Sequence, residues 1–393
     1  GKRNFLDIAI KSADLICNEF GEGKIVNYPG HQEVEIGLVK LYRVTKDERY
    51  LKLARFFLDV RGKENVGKPT KYNQSHLPVT QQDAAVGHAV RGAYMWAGMA
   101  DIAAIMGDES YLQAINKIWH DIVDKKYYIN GGIGATGSGE AFGEDYELPN
   151  MSAYCETCAG VGNAIWNHRM FLMTGESKYI DVLERSMYNN IIDGVSLSGD
   201  RFFYPNPLQS YGQHERSEWF GCACCPPNVA RFLPSMPGYI FAQKDNDIYI
   251  NLYITSESTF DVAGNQLTIA QQSGFPWQGD VKINFKVTKP TDANLKLRVP
   301  GYARNQPVPS NLYTYLDSKT KPVEIKLNGK KVNFEVDEKG YINISRKWTN
   351  RDVIEMMFPM EVEVVEAHPE VTEDVGKIAV ERGPILYCAE WPD

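Results

Sequence analysis

Three short segments of one pattern recur in the first half of the chain: Thr45-Lys46-Asp47-Glu48-Arg49-Tyr50-Leu51, Met106-Gly107-Asp108-Glu109-Ser110-Tyr111-Leu112 and Thr174-Gly175-Glu176-Ser177-Lys178-Tyr179-Ile180. Each follows an apolar stretch with helical spacing and opens another. Each also carries acidic residues where a helix N-terminus favours negative charge. The segments lie 61 and then 68 residues apart, the interval expected of successive helical hairpins. Hairpins repeated in this way must stack to bury their apolar faces. An α/α toroid and an α-solenoid both satisfy the pattern, and a toroid also supplies a central pocket.

After about residue 243 the texture changes. Val281-Lys282-Ile283-Asn284-Phe285-Lys286-Val287 alternates apolar and polar residues, as does Tyr341-Ile342-Asn343-Ile344-Ser345, which is the period of a half-buried strand. Asn328-Gly329 sits between two such runs and predicts a hairpin turn. The expected organisation is therefore α+β and multidomain: a helical unit over 1–243 and an antiparallel β-sandwich over 244–393, with the last residues still strand-like. A chain of 393 residues is long enough for both.

The composition narrows the partners. No apolar run approaches the roughly 20 residues that span a bilayer, and a net charge of −8 argues against a nucleic-acid partner, which calls for a basic face. Twenty-two tyrosines and seven tryptophans suit a core first, and also the stacking surfaces of a sugar cleft. Gly1 is not an initiator, so the natural N-terminus is expected upstream and the compartment, cytoplasmic or periplasmic, is left unassigned.

Seven cysteines in a chain of this size do not read as a disulfide framework, being odd in number and clustered. One cluster is Cys222-Ala223-Cys224-Cys225-Pro226-Pro227-Asn228 and the other Cys155-Glu156-Thr157-Cys158. Two tight groups of soft ligands point to a thiolate metal site, zinc first. The Pro-Pro step predicts a helix starting near Cys224 and Cys225, where backbone N–H groups and the helix dipole favour a thiolate. Cys158, Cys224 and Cys225 with Glu156 would complete a tetrahedral set, although Glu156 and Cys158 meet one ion only at an irregular helix start or in an extended segment. Four cysteines, with Cys155 or Cys222 as the fourth, form the structural alternative. Cys17 and Cys388 read as small buried hydrophobes.

Gly132-Ile133-Gly134-Ala135-Thr136-Gly137 matches a dinucleotide-binding fingerprint, which has meaning only between a strand and a helix. Here it runs into Glu140, Glu144, Asp145 and Glu147, whose charges would repel a pyrophosphate. A glycine-rich loop that carries Glu140 or Glu144 into a pocket fits better. His31, His88 and His214 are candidates, each weighed against an ordinary core histidine. Glu184 alone reads as a solvated helix face, and Tyr204 as a packed aromatic.

Taken together, these segments resemble glycoside hydrolase family 127, the β-L-arabinofuranosidases with a cysteine nucleophile, with family 146 a close relative. The most specific pieces are Cys224-Cys225-Pro226-Pro227-Asn228 and Glu156-Thr157-Cys158. Gly139-Glu140, Gly30-His31-Gln32-Glu33, Val86-Gly87-His88 and Phe203-Tyr204-Pro205-Asn206-Pro207 support them. The resemblance implies an (α/α)6 barrel followed by β-sandwich domains, and a zinc ion held by Glu156, Cys158, Cys224 and Cys225. It also implies Cys224 as nucleophile, Glu140 as general acid/base, and His31, His88, Glu184 and Tyr204 around the sugar. Family members carry further barrel helices and another substrate-binding histidine before this point, so the barrel is expected to be N-terminally truncated.

The expected reaction is retaining hydrolysis of an L-arabinofuranose-type glycoside in a glycan or glycoconjugate. Three rivals stand beside it: a zinc-stabilised carbohydrate-binding scaffold, hydrolysis by a zinc-bound water, and a glycosidase of the same fold acting on another pectic sugar.

Overall fold

In each of the three recurring segments the chain turns between two helices. In the computed structural model, which describes residues 2–317 and 321–390, α1 (Asn4–Glu19) precedes α2 (Val34–Thr45) and α3 (Glu48–Val60). These are followed by α4 (Ala89–Met106), α5 (Glu109–Lys125), α6 (Thr157–Thr174), α7 (Ser177–Ser186) and α8 (Cys225–Phe232). The junctions share one local chemistry. Lys46, Gly107 and Gly175 end α2, α4 and α6 in the left-handed conformation, which closes a helix C-terminus. Asp47 and Asp108 then accept a hydrogen bond from the N–H of Arg49 and Ser110 as N-caps. Glu176 makes no such bond.

The helices of each hairpin differ in surroundings. α4 and α6 are buried on nearly every side, whereas α3, α5 and α7 carry one apolar face. α2, α4 and α6 accordingly pack side by side as an inner row, with α3, α5 and α7 paired to them on the outside. Small residues allow the close approach: a Cβ on Gly162 of α6 would lie 3.0 Å from that of Ala93 on α4. Among the described residues, no helix is long and apolar enough to cross a membrane. Helix is not continuous through this region. Residues 126–156 and 192–224 are loops with isolated bridges and short helical turns, and these loops carry much of the site.

Among the described residues fourteen strands follow: β1 (Phe241–Lys244), β2 (Asp247–Ile250), β3 (Ser256–Val262), β4 (Asn265–Ser273), β5 (Asp280–Val287), β6 (Thr291–Arg298), β7 (Tyr313–Tyr315), β8 (Glu324–Leu327), β9 (Lys330–Lys331), β10 (Tyr341–Trp348), β11 (Val353–Met357), β12 (Val362–Ala367), β13 (Ala379–Arg382) and β14 (Ile385–Tyr387). A four-stranded sheet, β1-β2-β6-β10, and a six-stranded sheet, β3-β4-β5-β11-β8-β9, share one apolar core containing Ile250, Leu295, Ile283, Phe285 and Trp348. Asn328 and Gly329, both at positive φ, make the β8–β9 turn.

Two features depart from a single antiparallel sandwich. β2 and β6 pair in parallel, Ile248 opposite Leu295, because the β3–β5 meander between them belongs to the other sheet. β14, β13, β12 and β7 form a third sheet, and its Tyr313, Tyr315 and Val365 are buried in the helical core. A buried ion pair reinforces that junction, Arg185 of α7 with Glu381 of β13 at 2.8 Å, and another joins α7 to the first sheet, Arg298 of β6 with Asp181 at 2.6 Å.

Candidate active site

Cys224 caps α8 and Cys225 is its first residue, with Pro226 and Pro227 completing the start. Proline fits there because the first N–H groups of a helix have no partner to lose. α6 begins one residue after Glu156, whose backbone is still extended (ψ 135°). This is the irregular helix start that lets Glu156 and Cys158 converge. A segment running antiparallel to it fixes it: Thr157 N–H donates to the Tyr204 carbonyl, and Asn206 N–H to that of Tyr154. Asn206 and Asn190 side chains both donate to the Cys155 carbonyl, at 2.8 and 3.0 Å.

These two helix starts bring four ligand atoms together. Cys158 Sγ lies 3.2 Å from the sulfurs of Cys224 and Cys225, which are 3.8 Å from each other. Glu156 Oε1 lies 3.4 Å from Cys224 Sγ and 3.6 Å from Cys225 Sγ. Tetrahedral zinc with sulfur ligands sets neighbouring donors about 3.8 Å apart, close to this spacing. Glu156 is 2% exposed, and its Oε2 has no hydrogen-bond partner. Hydrogen bonds from the Cys158 and Cys225 thiols hold the Cys224 thiol well below its usual range, while burial pushes Cys225 and Glu156 up. Such a set, with no Lys or Arg paired to it among the described residues, is suited to a cation. The residues fit zinc.

Cys224 differs from its partners in access. It is half-buried, whereas Cys158 and Cys225 are buried. Tyr204 Oη lies 3.1 Å from Cys224 Sγ, and Asn228 Nδ2 donates to Cys158 Sγ at 3.0 Å. Asn228 Oδ1 in turn accepts from Tyr94, which is bonded by Arg231, itself paired with Glu33.

The glycine-rich loop delivers Glu140 to the same place. His88 Nε2 lies 2.6 Å from Glu140 Oε2, and Tyr154 donates to Oε1 at 3.1 Å. Burial pushes His88 down to about 4, so its neutral ring donates from Nε2. The carboxyl oxygens of Glu140 and Glu156 and a His88 nitrogen all lie within 4.8 Å of one another. The His31 ring meets that of His88 edge-on, centroids 6.2 Å apart, and its Nδ1 is 2.7 Å from the Gln32 carbonyl.

Glu184 is not brought here. α7 turns it inward to a buried pair with Arg298 at 2.6 Å, beside Asp181 and Arg185. This corrects its expected place around the sugar: it helps join the helices to β6. His214 stacks on Phe203 with centroids 4.8 Å apart and supports the loop of Tyr204. Cys155 is buried and Cys222 exposed, and neither joins the group of four. Tyr154 and Asn228 were not singled out from the sequence. Tyr154 stands two residues before Glu156, but the left-handed turn at Cys155 between them (φ 38°) has no local sequence signal.

A family model described as the GH127 catalytic domain of β-L-arabinofuranosidases matches residues 1–238. The chain belongs to glycoside hydrolase family 127. Models of the GH127 middle domain and the family 127 C-terminal domain match 247–360 and 362–393, the latter range holding β12 to β14. The chain is 34% identical to a non-reducing end β-L-arabinofuranosidase of Bifidobacterium longum subsp. longum, over all of this chain and 62% of that protein. A solved GH127 β-arabinofuranosidase superposes with a TM-score of 0.97 at 52% identity, over all of this chain and 62% of its own. The GH127 β-L-arabinofuranosidase of Geobacillus stearothermophilus T6 does so at 0.90 and 39%, over 98% of this chain and 63% of its own. The chain thus spans less than two thirds of the length of these relatives.

Proposed function

We propose that the protein is a retaining glycoside hydrolase that releases terminal β-L-arabinofuranose from glycans or glycoconjugates, with Cys224 as nucleophile and Glu140 as general acid/base. One observation carries the reading. Of three clustered sulfurs, Cys224 alone is accessible, and it is the one whose proton is most easily lost. The names of the relatives supply the sugar and its non-reducing-end position.

The steps follow from the residues. Glu140 donates a proton to the departing glycosidic oxygen as Cys224 Sγ attacks the anomeric carbon, so the C–O bond breaks while a C–S bond forms. Glu140, now a carboxylate, takes a proton from water, and that water displaces the sulfur. Two inversions give net retention. His31, His88 and Tyr204 line the space above Cys224 and orient the sugar. Glu156, Cys158, Cys224 and Cys225 would hold zinc, which when bound supplies the positive charge that keeps the thiols deprotonated at neutral pH. Asn228 adds a neutral donor to the Cys158 sulfur, and Tyr204 Oη lies within hydrogen-bond reach of Cys224 Sγ.

Cys224→Ser is expected to keep the fold and lose turnover, because a serine hydroxyl is far less acidic than a thiol. Steady-state hydrolysis of 4-nitrophenyl β-L-arabinofuranoside checks this. A near-native rate in that variant would remove Cys224 from the role.

A further inference from the structure

Glu140 stands where the backbone does little to direct it. It ends the single turn Ser138–Glu140 at a left-handed φ of 51°, after Gly139 at 69°, and its side chain is 30% exposed. A glutamate with three free torsions at such a site samples many directions, and proton transfer demands one. The structure holds each carboxylate oxygen with one donor. His88 Nε2 takes Oε2 at 2.6 Å and the Tyr154 phenol takes Oε1 at 3.1 Å. Cys155, between Tyr154 and Glu156, turns the chain at a left-handed φ of 38°. The Tyr154 ring is braced by Tyr204, centroids 6.3 Å apart, and by Gly137, where an added Cβ would stand 3.5 Å from it.

We propose that Tyr154 is a positioning residue for the proton transfer assigned to Glu140: its hydroxyl, with the His88 ring, fixes the carboxyl so that an unused lone pair faces the glycosidic oxygen. Each carboxylate oxygen has two lone pairs, so a donor on each leaves one on each for the travelling proton. In the first step that proton passes from Glu140 to the leaving oxygen as the C–O bond breaks. In the second, Glu140 receives a proton from water as the C–S bond breaks. Tyr154 keeps its own proton throughout. The inference rests on the reading of Glu140 as acid/base.

The test is leaving-group dependence in the zinc-loaded enzyme. Tyr154→Phe deletes the hydroxyl and keeps the ring that packs on Tyr204 and Gly137. For methyl β-L-arabinofuranoside, whose leaving group needs a proton, kcat/KM should fall by roughly 10- to 100-fold. For the 4-nitrophenyl glycoside, whose leaving group does not, it should fall by less than about 3-fold, with zinc content unchanged. Equal losses on both substrates, no loss on either, or a loss of zinc would overturn the proposal. Glu140→Gln, measured in parallel, separates the two readings. If it slows both glycosides alike, the acid/base assignment itself fails. If it discriminates between them and Tyr154→Phe does not, Glu140 stands and Tyr154 only packs.

Discussion

At the scale of single residues, the proposed site depends on groups that touch the four ligands rather than on those ligands alone. Asn228 gives a neutral N–H to Cys158 Sγ, which steadies a sulfur that the proposal makes a zinc ligand. Removal of such an outer partner typically weakens metal binding 10- to 100-fold. Asn228→Ala should therefore give up zinc at equilibrium to a correspondingly lower concentration of chelator, and an unchanged zinc affinity would contradict the role. Asp193 makes a different kind of prediction. Burial raises its carboxyl to about 7, above the 3.8 of an unfolded chain, so the folded state holds a proton there that the unfolded state has released. Stability must then decline as pH rises from 3.8 to 7, by up to roughly 1.4 kcal/mol per pH unit. Asp193→Asn removes this decline, so its advantage over the wild type should widen across that range in urea titrations and stay level above it. Much of the site was legible at this scale. Two cysteine clusters, a Pro-Pro helix start and a glycine loop ending in Glu140 are local patterns with local chemistry. Glu184 was misplaced because its partner, Arg298, is distant in sequence, and no local pattern distinguishes an inward ion pair from a solvated face.

Among the elements, the hairpin junctions were the most legible, since a left-handed residue, followed at two of the three by an aspartate cap, needs no tertiary help. Asp108 both caps α5 and pairs with Arg55 at 2.7 Å. Asp108→Ala should cost about 1 kcal/mol of unfolding free energy, read by denaturant titration, and no loss would mean that the cap adds nothing. The strands were legible as strands but not as sheets. Alternation in β5 and β10 announces a buried face, yet nothing in it says which core that face meets. So the parallel β2–β6 pair and the sheet that packs β7 and β12 to β14 on the helices were not foreseen. Both are decided by pairing between residues far apart in the chain.

Across the whole molecule, buried charges tie the helical and β regions together. Arg298, fully buried, bonds both Asp181 and Glu184, and Arg185 bonds Glu381. Removing one partner of such a pair costs roughly 3–5 kcal/mol. Arg298→Ala should lower stability by about that amount with the zinc content of the folded protein unchanged. A loss of zinc with no loss of stability would instead tie this pair to the active site. The helical region then serves to bring two helix starts and two loops onto one accessible sulfur. That sulfur is best tested by intact-protein mass spectrometry after incubation with an L-arabinofuranosyl haloacetamide, followed by peptide mapping and zinc analysis of the same sample. The expected result is a single adduct on Cys224 in a protein carrying about one zinc per four-ligand site. Labelling at another residue, or turnover that survives stoichiometric modification, would contradict Cys224 as the nucleophile.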